Sequence, residues 1–208
     1  MGAKNLKGGH AGREGAVWQA RLRQLLPEYG HRNWIVVADA AYPRQSAPGI
    51  ATVCTGQDQI VVLKCVLQAI AKAPHVRAVV MLDAELDCVA EKDAPGAGDY
   101  RDKLRTLLKG QPVKVLPHRD IIDKLDQGAR LFNVLLLKTE LMIPYTSVFL
   151  ELDCGYWDDA KEARLRRAFD EKAKAALQKR RMNKQDEQTV SYFDNRHSVA
   201  TKVLNLDP

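Results

Sequence analysis

Short apolar runs alternate with segments of helical spacing along most of the chain. Apolar runs of about four to eight residues predict buried strands, and apolar positions three or four residues apart predict helices. The chain carries such strands at 34–38, 77–82, 113–116, 133–140 and 147–152, and helices at 15–29, 59–72, 99–109, from His118 onward and from Asp158 to about Lys184. Strands that alternate with helices predict a single α/β domain with a mostly parallel sheet flanked by helices.

The last two predicted strands are separated by a short turn that contains Pro144. Strands that follow each other this closely favour an antiparallel hairpin, so we expect the sheet to be mixed. The segment after the first strand carries Pro43, Pro48 and Gly49 and is predicted to be a loop.

Composition divides the chain into three segments. Residues 1–14 are basic and glycine-rich, lack the apolar run of a secretory signal, and are expected to be flexible. Residues 15–157 form the predicted α/β domain. Residues 158–208 form a basic helical extension, whose last part from Gln188 onward is predicted to be a short strand or an arm docked on a partner.

The net charge of +6 raises the question of an anionic partner. Lysine and arginine are concentrated in the extension, between Arg164 and Lys184. Such a segment can bind nucleic acid or an acidic membrane, but a solvated helix is the commoner explanation. Aromatic residues that could stack on bases are not interleaved with the cations. No apolar stretch approaches the roughly 20 residues that span a bilayer. We therefore expect neither a nucleic-acid nor a membrane partner.

The four cysteines and the acidic residues are weak candidates for metal chemistry. Cys54, Cys65, Cys88 and Cys154 form no CxxC pair and have no histidine at ligand spacing, which argues against zinc and against a disulfide framework. Reduced, mostly buried thiols in a cytoplasmic protein are expected instead. Three carboxylates after the second predicted strand could hold a divalent ion, although a solvated loop is the preferred interpretation: Asp83, Glu85 and Asp87.

Four side chains that can move protons or hold hydroxyl groups fall at the edges of predicted elements. His31 precedes the first strand, Asp39 ends it, His118 begins a helix after a strand, and Tyr145 lies in the turn before the last strand. In a parallel sheet the strand ends share one rim, where ligands bind, so Asp39 and His118 are expected there together. Each residue also has a purely structural explanation as a cap, a turn residue or a surface residue.

The same residues resemble the motifs of the D-ribose pyranase and L-fucose mutarotase family. In that family a Gly-His pair precedes an apolar strand that ends in Asp eight residues after the histidine, as Gly30, His31 and Asp39 do here. Ribose pyranases also carry a histidine in a strand-to-helix turn, and His118 fits that place. The resemblance covers roughly residues 17–153.

The family's closing segment, G-E-x-x-P-Y-x-N before an apolar strand, is similar to residues 139–150 of this chain. Glu140, Pro144 and Tyr145 match it, although the turn between Glu140 and Tyr145 is one residue longer. Ser147 occupies the asparagine position, and the extension beyond Trp157 has no counterpart in the compact members.

The resemblance implies an isomerase that interconverts the anomers or ring forms of a free ribose-like or fucose-like sugar by acid/base ring opening, without a metal or organic cofactor. It implies that His31 is the main proton donor, and that Asp39 and His118 assist it. It also implies a sugar held by Asp39, His118, Tyr145, Ser147 and Glu140, and a ring-like homo-oligomer, a decamer in that family, with the site at a subunit boundary.

Two other functions remain open at the level of sequence. A non-catalytic sugar-binding or regulatory protein could retain the pocket, and Ser147 in place of asparagine favours that alternative. A scaffold whose basic helix contacts nucleic acid or a protein is the third possibility.

Overall fold

The computed structural model describes the backbone of residues 8–203 and the side chains of residues 17–182 and Lys184. The strands are β1 (Trp34–Ala38), β2 (Ile50–Cys54), β3 (Val76–Asp83), β4 (Val113–Leu116), β5 (Val134–Lys138) and β6 (Val148–Cys154). The helices are α1 (Gly8–Leu25), α2 (Gln59–Ala71), α3 (Ala97–Leu107), α4 (His118–Ala129) and α5 (Asp159–Val203), and a 3-10 turn covers Ala84–Cys88. The chain divides after Tyr156 into two compact units.

The first unit is an α/β domain built on a six-stranded mixed sheet, which confirms the predicted fold class. The strand order is β2-β5-β1-β6-β3-β4, and β6 runs antiparallel to both of its neighbours while the other pairs are parallel. Side chains along β1 point alternately to the two faces of the sheet. Ile35 and Val37 join the core beneath α1, α2 and α3, and Trp34 and Val36 join the core beneath α4.

The predicted hairpin between the last two strands is wrong, because β1 lies between them. β1 is buried on both faces and therefore takes a central position, with β5 parallel on one side and β6 antiparallel on the other. The connection 139–147 consequently crosses the carboxyl end of β1. The amide of Thr139 donates to the carbonyl of Ala38, and the amide of Ala40 donates to the carbonyl of Leu141. This crossover places the connection directly beside Asp39.

Three elements differ from those expected. β2 was not predicted, because it is a half-exposed edge strand that lacks both a long apolar run and clear alternation. α1 begins at Gly8, so residues 8–14, which were expected to be flexible, form its first turns. α5 continues to Val203. The chain from Gln188 to Val203 is therefore helical, and the short strand expected there is wrong. Residues 1–7 and 204–208 lie outside the described part of the chain.

The expectation of mostly buried cysteines is also wrong. Cys54 and Cys88 are exposed, and Cys65 and Cys154 are partly exposed, each as a free thiol. Cys54 ends the edge strand β2 and Cys88 ends the 3-10 turn, so neither lies under a covering helix.

Gly155 marks a close approach of backbones at the end of β6, and its replacement by alanine is expected to destabilise the fold. An added Cβ would lie 2.6 Å from the carbonyl oxygen of Pro74 and 2.8 Å from the amide nitrogen of Val76. Neither backbone atom can move without disturbing the β3–β6 pairing. We expect Gly155→Ala to lower the free energy of unfolding by about 1–3 kcal/mol, measured by urea denaturation. Gly30→Ala is the control, because nothing lies within 4 Å of its added Cβ, and an equal loss in both variants would contradict the prediction.

The second unit consists largely of α5. Every side chain from Ala163 to Met182 is exposed, including Leu165, Phe169 and Leu177. Glu162 accepts a hydrogen bond from Arg166 one turn later, at 2.7 Å. Within the described part of the chain, no helix combines the length and the apolar character needed to cross a membrane.

Candidate functional site

Three polar side chains meet where neighbouring strands of the central sheet end. Asp39 follows β1, Asp83 ends β3, and Ser147 immediately precedes β6, which lies between the other two strands. Because β6 is antiparallel, its first residues share an edge with the last residues of β1 and β3. We call this edge, with His118 and Tyr145, the carboxyl rim. The sequence-based expectation that Asp39 and His118 share one rim is confirmed by this geometry.

Asp39 and Ser147 form a reciprocal hydrogen-bonded pair on the rim. The Ser147 hydroxyl donates to Oδ2 of Asp39 at 2.8 Å, and the Asp39 amide donates back to Ser147 Oγ at 3.3 Å. Oδ1 of Asp39 accepts from the amide of Ala41 at 2.8 Å. Ser147 is buried and Asp39 is half-buried. The carboxylate is therefore held in one orientation while part of it faces solvent.

Asp83 and His118 form the second pair, which joins a buried carboxylate to a partly exposed imidazole. His118 Nδ1 lies 3.0 Å from Asp83 Oδ2, and the two side chains are 39% and 0% exposed respectively. A carboxylate beside Nδ1 selects the tautomer with the proton on that nitrogen, which leaves Nε2 as the acceptor. The other oxygen, Asp83 Oδ1, is buried without a hydrogen-bond partner among the described residues.

Burial raises the pKa of Asp83 from 3.8 to about 6, because desolvation disfavours the ionised carboxylate. The His118 imidazole opposes this rise of the pKa, and the nearby carboxylates of Glu85 and Asp39 add to it. Asp83 therefore ionises close to neutral pH, which is the range in which an Asp–His pair can hold and release a proton.

Tyr145 covers the imidazole from the crossover connection. Its ring meets the His118 ring edge-on, with centroids 5.6 Å apart and planes at 83°. Its backbone lies in the left-handed region, with φ at +58°, a conformation that non-glycine residues seldom adopt outside constrained sites. The side chain is 41% exposed. The phenol is therefore presented to solvent beside the histidine.

A buried polar network fixes the crossover connection beneath the rim. The Gln59 side-chain amide donates to Tyr100 and to the carbonyl of Thr146, and Tyr100 donates to the same carbonyl at 2.9 Å. The hydroxyl of Thr139 lies 2.9 Å from the Ala38 carbonyl and 3.0 Å from Gln59 Oε1. Desolvation raises the pKa of Tyr100, so this phenol stays neutral. The network ties 139–147 to α2, α3 and β1 and so positions Tyr145 and Ser147.

The three carboxylates that could hold a divalent ion according to the sequence each contact a different partner. Asp83 faces His118, Glu85 accepts from the His118 backbone amide with both oxygens at 2.9 and 3.0 Å, and Asp87 pairs with Arg105 at 2.8 Å. Glu85 thus caps the start of α4 and holds the backbone of His118 in place. Glu140, predicted to bind substrate, is exposed, and its amide donates to the carbonyl of Gln57.

His31 lies at the opposite end of the sheet from the carboxyl rim within one chain. It precedes β1, and its Nδ1 is 2.9 Å from Asp153 near the end of β6. Arg77 bonds the other oxygen of that carboxylate, which contributes to lowering the pKa of Asp153. The five residues of β1 span roughly 16 Å, so His31 and Asp39 of one chain do not face the same ligand.

The sequence predicts Asp39, His118, Tyr145 and Ser147 as site residues, and it indicates Asp83 only as a member of an acidic cluster that could hold a divalent ion. The pattern that predicts Asp39, a carboxylate directly after an apolar run, also applies to Asp83 and could have indicated it as a rim residue. Gln59 was missed because it resembles any first-turn residue of a helix, and its contacts are with two segments distant in sequence, α3 and the connection 139–147.

Comparison with known proteins gives structural but not sequence matches. No protein-family model matches the chain, and no curated protein sequence matches it. The chain is similar to Bacillus subtilis RbsD, solved with D-ribose, at 17% identity over 74% of this chain and 98% of that one, with a TM-score of 0.46. It is similar to FucU of Bifidobacterium longum at 18% identity, covering 64% and 94%, with a TM-score of 0.47. It is also similar to the Streptococcus pneumoniae fucose mutarotase, solved with L-fucose, at 20% identity, covering 64% and 91%, with a TM-score of 0.46.

Proposed function

We propose that the protein is a monosaccharide mutarotase or pyranase, whose carboxyl rim opens and recloses the ring of a free aldose. The observation that carries the proposal is the pairing of buried Asp83 with partly exposed His118, beside a second oriented carboxylate, Asp39, and an exposed phenol, Tyr145. An imidazole, a carboxylate and hydroxyl groups on one open edge are suited to a polyhydroxylated substrate. The motif resemblance supplies the ribose-like or fucose-like substrate class.

Ring opening needs a base and an acid on the two sides of the anomeric carbon. The base takes the proton of the anomeric hydroxyl, the bond from that carbon to the ring oxygen breaks as the carbonyl forms, and the acid protonates the ring oxygen. Reclosure on the other face of the carbonyl, or through another hydroxyl, gives the other anomer or ring form. His118 Nε2 is the group of the rim that can act as the base, with the Asp39 carboxylate assisting it, and Tyr145 and Ser147 orient hydroxyl groups. The acid has to bring a proton of its own, and His31, the proton donor implied by the family resemblance, is the candidate for that role.

His31, the main acid/base implied by the family resemblance, can act on the same sugar only if a second copy brings it to the rim. The rim is open in one chain, since Asp39 and His118 are partly exposed and Tyr145 is exposed. A covering surface would exclude water and strengthen every polar contact with the substrate. We therefore propose a homo-oligomer, ring-like as the resemblance implies, in which His31 of one subunit completes the rim of the next.

Two-dimensional exchange NMR between sugar anomers tests the proposal. We expect protein-dependent cross-peaks for one sugar in a panel that includes ribose and fucose. His31→Ala and His118→Ala should each lose exchange while remaining folded, and co-expression of the two variants should restore part of it, because mixed oligomers contain sites with both histidines. Full activity of His31→Ala would contradict the shared site, and absence of exchange for every sugar would contradict the enzyme.

A second candidate function is a sugar-binding protein without catalysis. The observation that favours it is the internal bonding of Asp39, whose two carboxylate oxygens already accept from Ser147 and from the amide of Ala41. Both oxygens are thus engaged by donors of the chain itself before a sugar binds. This function predicts chemical-shift changes on adding a sugar together with an anomer exchange rate equal to that in buffer.

A further inference from the structure

We propose that α5 is a docking element for duplex DNA that binds without sequence preference by lying along the major groove. The proposal concerns the second unit and is independent of the sugar site. The sequence alone favoured a solvated helix for this segment. The structure adds the distribution of its exposed side chains, and this distribution is what a groove-binding helix requires.

The charge on the central part of α5 is high and predominantly positive. Between Arg164 and Lys184 the sequence has nine basic residues, against the two acidic residues Asp170 and Glu171. At about 1.5 Å per residue this segment extends for roughly 30 Å. Duplex DNA presents one negative charge for about every 1.7 Å of its axis, so a helix laid along it gains several charge-assisted phosphate contacts. The basic residues are Arg164, Arg166, Arg167, Lys172, Lys174, Lys179, Arg180, Arg181 and Lys184.

The cations surround the helix instead of occupying one face. At about 100° per residue, Arg166 and Arg180 fall on the same side as Phe169, while Arg167 and Lys179 fall on other sides. An interfacial membrane helix needs an apolar face separate from its charges, and burying Phe169 in lipid would here bury two guanidinium groups beside it. A second α5 packed on this one would bring like charges together. Both alternatives are therefore less favourable than a polyanion that surrounds the helix.

A helix in the major groove of DNA is surrounded by negative charge, because phosphates line both walls of the groove. The groove is about 12 Å wide and admits an α-helix of about 10–12 Å diameter. Cations on opposite sides of α5 can then contact the two backbones at once. The described side chains from Ala163 to Met182 are all exposed, so they are free of core packing in the chain itself. The exposed side chains are mainly alanine, lysine and arginine, so the contacts are to phosphates and carry little sequence information.

The test is fluorescence anisotropy of a labelled DNA duplex with the full-length protein across a salt series. A variant with Arg167→Gln, Lys174→Gln, Lys179→Gln and Arg181→Gln removes four cations and keeps good helix formers. At about 100° per residue, Arg167, Lys174 and Arg181 lie on one side of α5 and Lys179 on another. We expect the affinity of this variant at low salt to fall about 100-fold, and the slope of log K against log salt to decrease by about 3–4. The charge-preserving variant Lys174→Arg, Lys179→Arg should bind as the wild type does.

The matched control removes the same charge from the first unit through Lys64→Gln, Lys92→Gln, Lys109→Gln and Lys114→Gln, all at exposed positions. This variant should keep the affinity and the salt slope. Equal weakening of both quadruple variants, or no DNA binding by the wild type at low salt, would overturn the proposal. An RNA duplex, whose major groove is too narrow for a helix, should bind more weakly, and equal or tighter RNA binding would overturn the groove geometry. Binding to vesicles of anionic lipid but not to DNA would overturn the proposal and would indicate a membrane as the partner of α5.

Discussion

His118→Gln is expected to slow protein-dependent anomer exchange by about 10²–10⁴-fold while leaving the fold intact. Glutamine can still reach Asp83, but it cannot accept and release a proton near neutral pH. His118 is the first residue of α4, and its backbone amide is held by Glu85, so the substitution leaves the helix start in place. The exchange rate measured by two-dimensional NMR at saturating sugar reports the loss, and thermal unfolding reports the fold.

His75→Gln is the matched control for the His118 variant. His75 lies just before β3, at the opposite end of that strand from Asp83, and its Nε2 is within 3.2 Å of the carbonyl oxygens of Leu26 and Tyr29. His75 contacts backbone carbonyls far from the carboxyl rim. We therefore expect His75→Gln to lower the free energy of unfolding and to leave the rate of anomer exchange per folded molecule unchanged. Exchange at the wild-type rate in His118→Gln would remove the imidazole from the mechanism and with it the proposed function.

Asp83→Asn is expected to have opposite effects on activity and on stability. The amide cannot accept the His118 Nδ1 proton as the carboxylate does, so it favours the other tautomer and blocks Nε2 as the acceptor. Loss of an orienting carboxylate from such a pair costs about 10³–10⁴-fold in rate. For the same reason, wild-type activity should fall as the pH drops below about 6, where Asp83 becomes protonated. The pH–rate profile of the wild type and the rate of the variant measure these effects.

The stability effect of Asp83→Asn follows from the raised pKa of Asp83. Between about pH 4 and pH 6 the folded protein keeps this proton while the unfolded chain loses it, so the Asp83 contribution to stability decreases as the pH rises. Above pH 6 the folded state carries the full penalty of a buried charge, on the order of 3 kcal/mol. We therefore expect Asp83→Asn to be more stable than the wild type at pH 8, by about 1–3 kcal/mol, and equal to it near pH 4.

Urea denaturation at these two pH values measures the difference. Asp87→Asn is the control, because it removes the same charge from an exposed carboxylate that pairs with Arg105 on the surface. It should change stability little at either pH. A lower stability of Asp83→Asn at pH 8 would contradict the assignment of Asp83 as a carboxylate held in place at the expense of stability.

The helices and strands of the first unit were largely predictable because their signals are local. β1 and β4 occur where their apolar runs stand, and α4 begins at His118 as expected. Asp39 and His118 were predictable as rim residues for a related reason. Parallel strands all end at the same edge of the sheet, so a residue that directly follows a strand lies at that edge.

The order of the strands was not predictable from the spacing of their segments. The close spacing of β5 and β6 in the sequence predicts a hairpin. In the structure β1 lies between them, because a strand that is apolar on both faces is most stable in the middle of a sheet. That insertion sends the connection 139–147 across the end of β1. The contact between Ser147 and Asp39 is a consequence of this crossover, which joins residues 108 positions apart.

The sequence by itself determined the α/β class, the ends of most strands, the basic character of α5 and the candidate residues Asp39, His118 and Tyr145. These features follow from periodicity, charge and chemical type, which are properties of neighbouring residues. Only the tertiary structure decided that Asp83 faces His118, that Gln59 supports the crossover, and that His31 stands at the other end of the sheet beside Asp153. These pairings depend on strand order and direction, which are set by burial of the whole sheet and not by any one segment.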